Sequence, residues 1–219
     1  MAPPDRKARE KAARRDAILE GARAVFAEKG LHATTIDDIA QRAELGKGTI
    51  YLYFKSKEEM FAALKIEGLT RLAARFQAAV AVGRPADENL RRICDAYVRF
   101  YREEPEYYWL LYFDTRSIEK DRAEEVVATI KPHGMRCIGI VADVIQQGID
   151  EGLFPKSLNA VQAAVAAWAS KSGIIFVFAQ EVGPAKVLPF GIDEVLRLHD
   201  EMFISGLKNH LVAESQKKP

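Results

Sequence analysis

Residues 34–57 read Thr34-Thr35-Ile36-Asp37-Asp38-Ile39-Ala40-Gln41-Arg42-Ala43-Glu44-Leu45-Gly46-Lys47-Gly48-Thr49-Ile50-Tyr51-Leu52-Tyr53-Phe54-Lys55-Ser56-Lys57, and two helical registers separated by a tight turn lie within them. Ile36, Ile39, Ala40 and Ala43 fall at helical spacing on one face. Thr35 stands at the N-cap of that face, and Asp38 three residues on gives a capping-box-like pair. The register stops near Ala43, and after Glu44-Leu45-Gly46 a second short helix is predicted from Lys47 to about Tyr53. Upstream, Ile18, Leu19, Ala22, Val25 and Phe26 mark one face of a longer helix, which Gly30 can close. Three helices of this kind, the last two joined by a tight turn, make a helix-turn-helix. Ala40, Leu45, Ile50 and Phe54 supply its interior, backed by Ile18, Ala22 and Phe26.

The outer side of the predicted third helix then carries Lys47, Gly48, Thr49, Tyr51 and Tyr53, followed by Lys55 and Lys57. Ammonium groups neutralise phosphates, and Thr and Tyr hydroxyls hydrogen-bond phosphate oxygens or base edges. Gly48 leaves the backbone free to approach a duplex closely. The helix start at Thr35 offers amide N–H groups to a phosphate. Asp37 and Asp38 are wrong for DNA in charge, and their expected task is to stabilise that helix start with carboxylates turned away from the groove.

The same stretch, extended through Glu58, Glu59 and Met60, resembles the DNA-binding domain of the tetracycline-repressor (TetR) family of bacterial regulators. The pattern T-x-x-x-I-A-x-x-A followed by K-G-T-x-Y-x-Y-F-x-S-K-E carries the likeness, which covers about residues 12–62. The resemblance implies that Thr35 touches phosphate from the start of the second helix. It places Lys47, Gly48 and Thr49 against base edges at the start of the recognition helix. Tyr51 and Tyr53 fall to the phosphate backbone, and Lys55 and Lys57 to a phosphate at the entry to the fourth helix. Two positions depart from the family pattern. The turn usually reads Gly-Val-Ser, whereas here it is Glu44-Leu45-Gly46. Glu44 therefore takes a position that favours positive φ, and Gly46 removes a hydroxyl that would cap the third helix and touch phosphate.

Outward from this segment the periodicity is helical almost throughout. A fourth helix follows a Ser56 cap and continues to about Val82, where Gly83-Arg84-Pro85 breaks it. A fifth carries Leu90 to Tyr101, and a short sixth opens at Pro105 and reaches about Phe113. A seventh spans about Arg122–Asp150 and should bend or break at Pro132 and Gly134. An eighth runs from about Asn159 to Gln180 and a ninth from about Asp193 to Leu211. The expectation is an all-α protein of about nine helices. Its proposed division is a basic arm and helix-turn-helix at 1–57, a ligand-sensing and dimerisation domain at 58–212, and a loose tail at 213–219.

In the family the resemblance points to, helices four to seven enclose a small-molecule pocket and helices eight and nine pair with a second copy. Residues 97–113 hold Tyr97, Phe100, Tyr101, Tyr107, Tyr108, Trp109, Tyr112 and Phe113. Aromatic rings with polar tips suit a pocket for a largely apolar or aromatic effector, although such a stripe also serves as plain core. The candidate lining is Tyr97, Phe100, Tyr101, Trp109, Tyr112 and Phe113, with Asp114, Arg116 and His133 as polar contacts. Small residues on the eighth helix and larger ones beside them would allow a close two-fold helix pairing. The candidate interface is Val161, Ala164, Val165, Trp168 and Ile175 with Leu198, Met202 and Phe203 of the ninth helix. Two recognition helices on a palindromic operator would multiply an affinity that one short helix cannot supply.

Composition sets the outer limits. In 219 residues, 32 Lys+Arg stand against 31 Asp+Glu, a formal charge of +1, and 48% of residues are hydrophobic. That mix excludes disorder as the dominant state. The neutrality hides an asymmetry: residues 1–57 carry 12 basic and 8 acidic residues, a net of +4. Arg6, Lys7, Arg9, Lys11, Arg14 and Arg15 concentrate that excess, which suggests an anionic partner for this segment, unless the terminus is simply solvated. The N-terminus lacks the apolar stretch of a secretory signal, so a cytoplasmic location is expected. The strongly apolar run at 173–179 is far shorter than a bilayer needs. Cys94 and Cys137 have no metal or redox spacing and read as small buried hydrophobes. No cofactor or metal is expected. Enzyme signals are isolated: Ser117-Ile118-Glu119-Lys120 lacks its partner motifs, and Ala169-Ser170-Lys171-Ser172-Gly173 does not complete G-x-S-x-G. A DNA-binding scaffold with no effector is the main rival to a ligand-released repressor, and a helical enzyme the more distant one.

Overall fold

A computed structural model describes residues 6–112, 120–180 and 183–215. Among the described residues there are nine α-helices and no strand. They are α1 (Arg6–Ala33), α2 (Ile36–Arg42), α3 (Lys47–Tyr51), α4 (Lys57–Ala79), α5 (Ala86–Glu103), α6 (Pro105–Leu110), α7 (Lys120–Asp150), α8 (Ala160–Ala179) and α9 (Ile192–Ser215). A 3-10 turn at Pro184–Val187 lies between the last two.

The boundaries follow local chemistry. Gly30 takes non-helical angles (φ 72, ψ 169) and ends the main run of α1 as expected, and one short turn beyond the kink carries the chain to Ala33. Gly83, at φ 78, separates α4 from α5, and α4 ends at Ala79, three residues before its expected limit. Asn89 fastens that connection: it is 1% exposed, its Oδ1 accepts from the Ala81 amide, and its Nδ2 donates to the Ala81 carbonyl. Ser56 precedes α4 as expected, accepting from the Glu59 amide, while the Glu59 carboxylate accepts from the Lys55 amide. Asn159 caps α8 by accepting from the Gln162 amide. Helix α7 runs unbroken through Pro132 and Gly134, contrary to the expected interruption. Helix α9 continues to Ser215, so the first three residues of the expected tail are helical.

The chain forms two compact units. One holds residues 1–72 and 99–134, the other 73–98 and 135–219, so α4, α5 and α7 each contribute to both. The core of the first unit joins Ile18, Ala22 and Phe26 of α1, Ile39 of α2, Ile50 of α3 and Phe61 of α4, all essentially without solvent exposure. Phe26 and Phe61 meet edge to face there, centroids 6.0 Å apart. The core of the second includes Ala86, Ile93, Ile145, Phe154, Ala164 and Ile175. Phe154 lies so close to Gly148 that a Cβ on that glycine would fall 2.3 Å from its ring.

Candidate nucleic-acid interface

The three N-terminal helices put their apolar residues inward as the register predicts. Ile50 of α3 is fully buried, a burial that contributes about 1.5–3 kcal/mol. Phe54 and Ala40 are also buried, and Leu45 is half-buried against the same core. Gly21 sets the approach of α1 to α2, because a Cβ there would come within 3.1 Å of Ala43.

Helix α2 begins with a reciprocal capping box. The Asp38 amide donates to Thr35 Oγ1 (3.1 Å), and the Thr35 amide donates to Asp38 Oδ2 (3.0 Å). Lys29 Nζ donates to the other carboxylate oxygen at 2.6 Å. Those hydrogen bonds, that from Lys29 foremost, hold the Asp38 carboxyl down at about 2. Arg42 grips both Glu28 oxygens at 2.7 and 2.8 Å, a second tie between α2 and α1. The turn into α3 puts Glu44 at φ 54, the positive φ expected of it. That left-handed conformation costs a residue bearing a Cβ about 1–2 kcal/mol. Gly46 occupies the N-cap of α3 with no side chain to bond there.

Solvent reaches the predicted contact residues unevenly. Thr35, Lys47, Gly48, Tyr51 and Lys55 are exposed, while Thr49, Tyr53 and Lys57 are half-buried. Leu52, which the sequence reading left out, is exposed beside Tyr51. Lys47 Nζ meets Asp37 Oδ2 at 2.9 Å, and this pairing raises the lysine's affinity for its proton. Asp37 therefore neutralises a cation of the recognition helix as well as standing in the first turn of α2, whereas Asp38 alone closes the capping box. Lys57 has a role that the sequence reading did not include. Its ammonium donates to the carbonyls of His32 and Thr34 (2.9 and 2.7 Å), capping the end of α1 from the start of α4. In this structure it stabilises the domain, and Lys55 is the uncommitted cation at that corner.

The aromatic residues divide between the two units. Phe100, Tyr101, Tyr108, Trp109 and Tyr112 form one cluster in the first, with Tyr108 at its centre. The ring centroids of Tyr101, Trp109 and Tyr112 lie 5.0–5.2 Å from it. Phe100 and Tyr108 are buried. Tyr97 belongs to the second unit, where it packs on Phe76 and its hydroxyl shares a 2.7 Å hydrogen bond with Ser172. His133 is half-buried. Phe113, Asp114 and Arg116 lie outside the described residues, as do Ser117, Ile118 and Glu119. Tyr107 was not chosen from sequence, yet it sits in an ionic knot. Its hydroxyl donates to Glu67 at 2.8 Å, and the guanidiniums of Arg23 and Arg71 lie over its ring. Arg23 also pairs with Glu106.

On α8 and α9 the expected interface separates into two sets. Val161, Val165, Trp168, Leu198 and Met202 are 42–66% exposed, joined by Phe176 at 56%, and Phe203 is half-buried. Ala164 and Ile175 are not on that surface; both are completely buried in the second unit's core, on the side of α8 that faces its own chain. By length and composition α8 is apolar enough to cross a membrane, which corrects the expectation drawn from the shorter run. Its middle argues for protein surroundings. Lys171 is buried and paired with Asp200 of α9 at 2.7 Å. Ser170 Oγ lies 2.7 Å from His199 Nε2, and His199 Nδ1 lies 3.1 Å from Asp200 Oδ1. This Ser-His-Asp sequence of contacts has the spacing of a hydrolytic triad but not its surroundings. Ser170 donates its hydroxyl proton to the Ala166 carbonyl at 2.7 Å, and it sits inside α8, where its neighbouring amides are engaged in the helix. Burial pushes the thiols of Cys94 and Cys137 up to about 12 and about 11, so neither is a ready nucleophile. Among the described residues no group of metal-ligating side chains comes together.

Residues 18–64 match the pattern of bacterial regulatory proteins of the tetR family, and residues 90–196 that of the tetracyclin repressor-like C-terminal domain. The HTH-type transcriptional repressor KstR2 of Mycobacterium tuberculosis is 31% identical over 156 residues, 71% of this chain and 76% of that protein. The chain belongs to the TetR family. It is accordingly a DNA-binding transcriptional regulator, with α2 and α3 as its helix-turn-helix. A second relative, the uncharacterised HTH-type regulator YhgD of Bacillus subtilis, is 38% identical over 87 residues. The chain spans 46% of its length, with 40% of its own residues matched. Among solved structures, the TetR regulator PfmR from Thermus thermophilus superimposes with a TM-score of 0.66 at 26% identity, over 87% of this chain and 98% of that one. FadR from Bacillus subtilis, crystallised in complex with stearoyl-CoA, shares the fold with a TM-score of 0.72 at 20% identity, over 87% and 97%.

Proposed function

We propose that this TetR-family protein is a dimeric, cytoplasmic repressor that binds a palindromic operator and leaves it when a small, largely apolar effector binds. The exposed apolar face on α8 and α9 carries this reading. A row of Val161, Val165, Trp168, Phe176, Leu198 and Met202 in water is unfavourable. A second copy laid against it by two-fold symmetry would complete a four-helix bundle and provide the second recognition helix for the other half-site. Thr35, Lys47, Gly48, Thr49, Tyr51, Tyr53 and Lys55 are the proposed DNA contacts, with Lys57 in a supporting place. Residues 1–57 are the proposed DNA-binding part and 58–212 the sensing and dimerisation part. No catalytic role is assigned.

The effector is proposed to lie against the Tyr101, Tyr108, Trp109 and Tyr112 cluster, whose rings offer apolar area with few polar tips. Long-chain acyl thioesters are the first class to test, because FadR of the same fold was crystallised with one. Release would be a population shift and can extend only as far as the effector's affinities for the two states differ. The test is a duplex selected from genomic fragments, titrated with and without stearoyl-CoA. Saturable binding to one site, lost as the thioester is added, is expected. Unchanged operator affinity with stearoyl-CoA demonstrably bound would end the release mechanism. Thr49→Ala should change base preference at one position by about 1–3 kcal/mol, and an identical selection profile would remove Thr49 from the contacts.

A further inference from the structure

We propose that the N-terminal overhang of α1 is a second DNA-contacting element, which grips backbone phosphates beside the recognition helix through Lys7, Lys11 and Arg14. The proposal rests on α2 and α3 being the DNA-binding face and adds a binding element outside them.

One stripe of α1 changes character along its length. Lys7, Lys11, Arg14, Ile18, Ala22 and Val25 follow one another at steps of three and four residues, a single helical face. From Ile18 onward that face is buried against the rest of the domain. Every residue before Ile18, from Arg6 to Ala17, is exposed, and there the same face is cationic. Twelve residues of helix are about 18 Å long, so the overhang reaches well beyond the packed part of the domain.

The charges are poorly placed for the helix itself. Arg6, Lys7, Arg9, Lys11, Arg14 and Arg15 stand against Glu10 and Asp16, six positive and two negative, a net of +4. No acidic residue occupies the first turn of α1. Cations at a helix N-terminus oppose its dipole, so these residues weaken the helix that carries them. Arg6 is answered by Glu10 at 2.9 Å, whereas Lys7, Lys11 and Arg14 have no ion pair among the described residues.

Arg15, next to Arg14, ties the overhang to the helix-turn-helix. Its guanidinium lies 5.3 Å from the centroid of Phe54, which precedes Lys55 three residues past the end of the recognition helix. A row of cations at helical spacing on an overhang that touches the helix-turn-helix is complementary to the repeating phosphates of a duplex. Such contacts read no sequence; they add affinity and fix the register of the recognition helix.

The experiment compares K7A/K11A with R6A/R9A, which removes the same charge from positions off the stripe, in the full chain on one operator duplex over a salt series. The slope of log K against log salt should fall by about 1.8 for each bound copy in K7A/K11A, since each phosphate contact contributes about 0.9. In R6A/R9A it should fall by less than half as much. Hydroxyl-radical footprints should lose protection at the edge of each half-site in K7A/K11A alone. Equal losses in the two variants, or none, overturn the proposal while Lys55→Ala still reports on the helix-turn-helix. A changed oligomeric state of K7A/K11A with an unchanged slope would assign the stripe to a second copy and overturn it as well. A wild-type protein that ignores every duplex would remove the DNA-binding reading and this proposal together.

Discussion

Two surfaces of this protein face solvent for opposite reasons. On α3 and just beyond it the exposed groups are Lys47, Gly48, Tyr51 and Lys55, which water solvates well and which a polyanion can claim from it, with Leu52 as the apolar exception. On α8 and α9 they are Val161, Val165, Trp168, Phe176, Leu198 and Met202, which water solvates badly. The first surface is stable while open and displaces counterions when it closes on DNA; the second gains by closing. Charge is handled in the same divided way. The exposed Lys47–Asp37 pair on the first surface can be exchanged for a phosphate at little cost. The buried Lys171–Asp200 pair beneath the second cannot be opened without leaving a charge unpaired.

The sharpest way to break this contrast is Trp168→Glu. Because Trp168 is 46% exposed, the variant should fold like wild type. It should sediment as a monomer and lose about 100-fold or more in operator affinity, the avidity of a second half-site. Wild-type sedimentation in this variant would mean that another surface joins the copies. Next in size is Lys171→Ala. Removing Lys171 takes the cation from a buried carboxylate that keeps its His199 contact, and should lower unfolding free energy by about 3 kcal/mol, measured by urea denaturation. Lys47→Ala, by contrast, should leave the unfolding midpoint in place and reduce DNA affinity. If Lys171→Ala were equally silent in urea, the pair would be solvated rather than buried. Lys55→Ala is smaller again: it should weaken binding to all duplexes alike and lower the salt slope by about one unit. A slope equal to that of wild type would exclude a direct phosphate contact.

The two surfaces were not equally legible in the sequence. The segment 34–57 could be read residue by residue because its constraints are local. A cap and its N3 partner are three residues apart, and Glu44's positive φ was implied by the family turn, which usually has glycine at that position. Ile50 and Phe54 point inward by register alone. Even there the second role of Lys57 was out of reach, since its carbonyl acceptors at His32 and Thr34 are 25 and 23 residues away. On α8 the sequence is apolar nearly all round, so periodicity cannot say which side meets the chain's own core. Ala164 and Ile175 therefore looked like interface residues, although they face inward, and Phe176, which faces out, was not chosen. Tyr97 was grouped with its aromatic neighbours by proximity in sequence, but its hydrogen bond to Ser172 is set by helix packing 75 residues away. Tyr107 was seen only as one of the aromatic run, because its ionic partners Arg23, Glu67 and Arg71 come from α1 and α4.

The smallest effect expected lies within the first surface and concerns what holds it in shape rather than what it binds. The Asp38 carboxyl, normally near 3.8, is held at about 2 by Lys29 and by the two groups of Thr35. Its folded-state value is depressed, so the stabilisation it gives is complete above the unfolded value and is lost as pH falls from about 4 to about 2. Asp38→Asn keeps the shape but removes the charge that Lys29 meets. Its stability should therefore lack the component that wild type loses across that window, and the two proteins should converge towards pH 2. Thr35→Ala removes the cap itself and should cost about 1 kcal/mol at neutral pH. Parallel stability curves for wild type and Asp38→Asn between pH 4 and 2 would show that the start of α2 is held by the backbone fold alone. In that case the acidic residues beside the recognition helix would have to be explained by Lys47 and the DNA it faces.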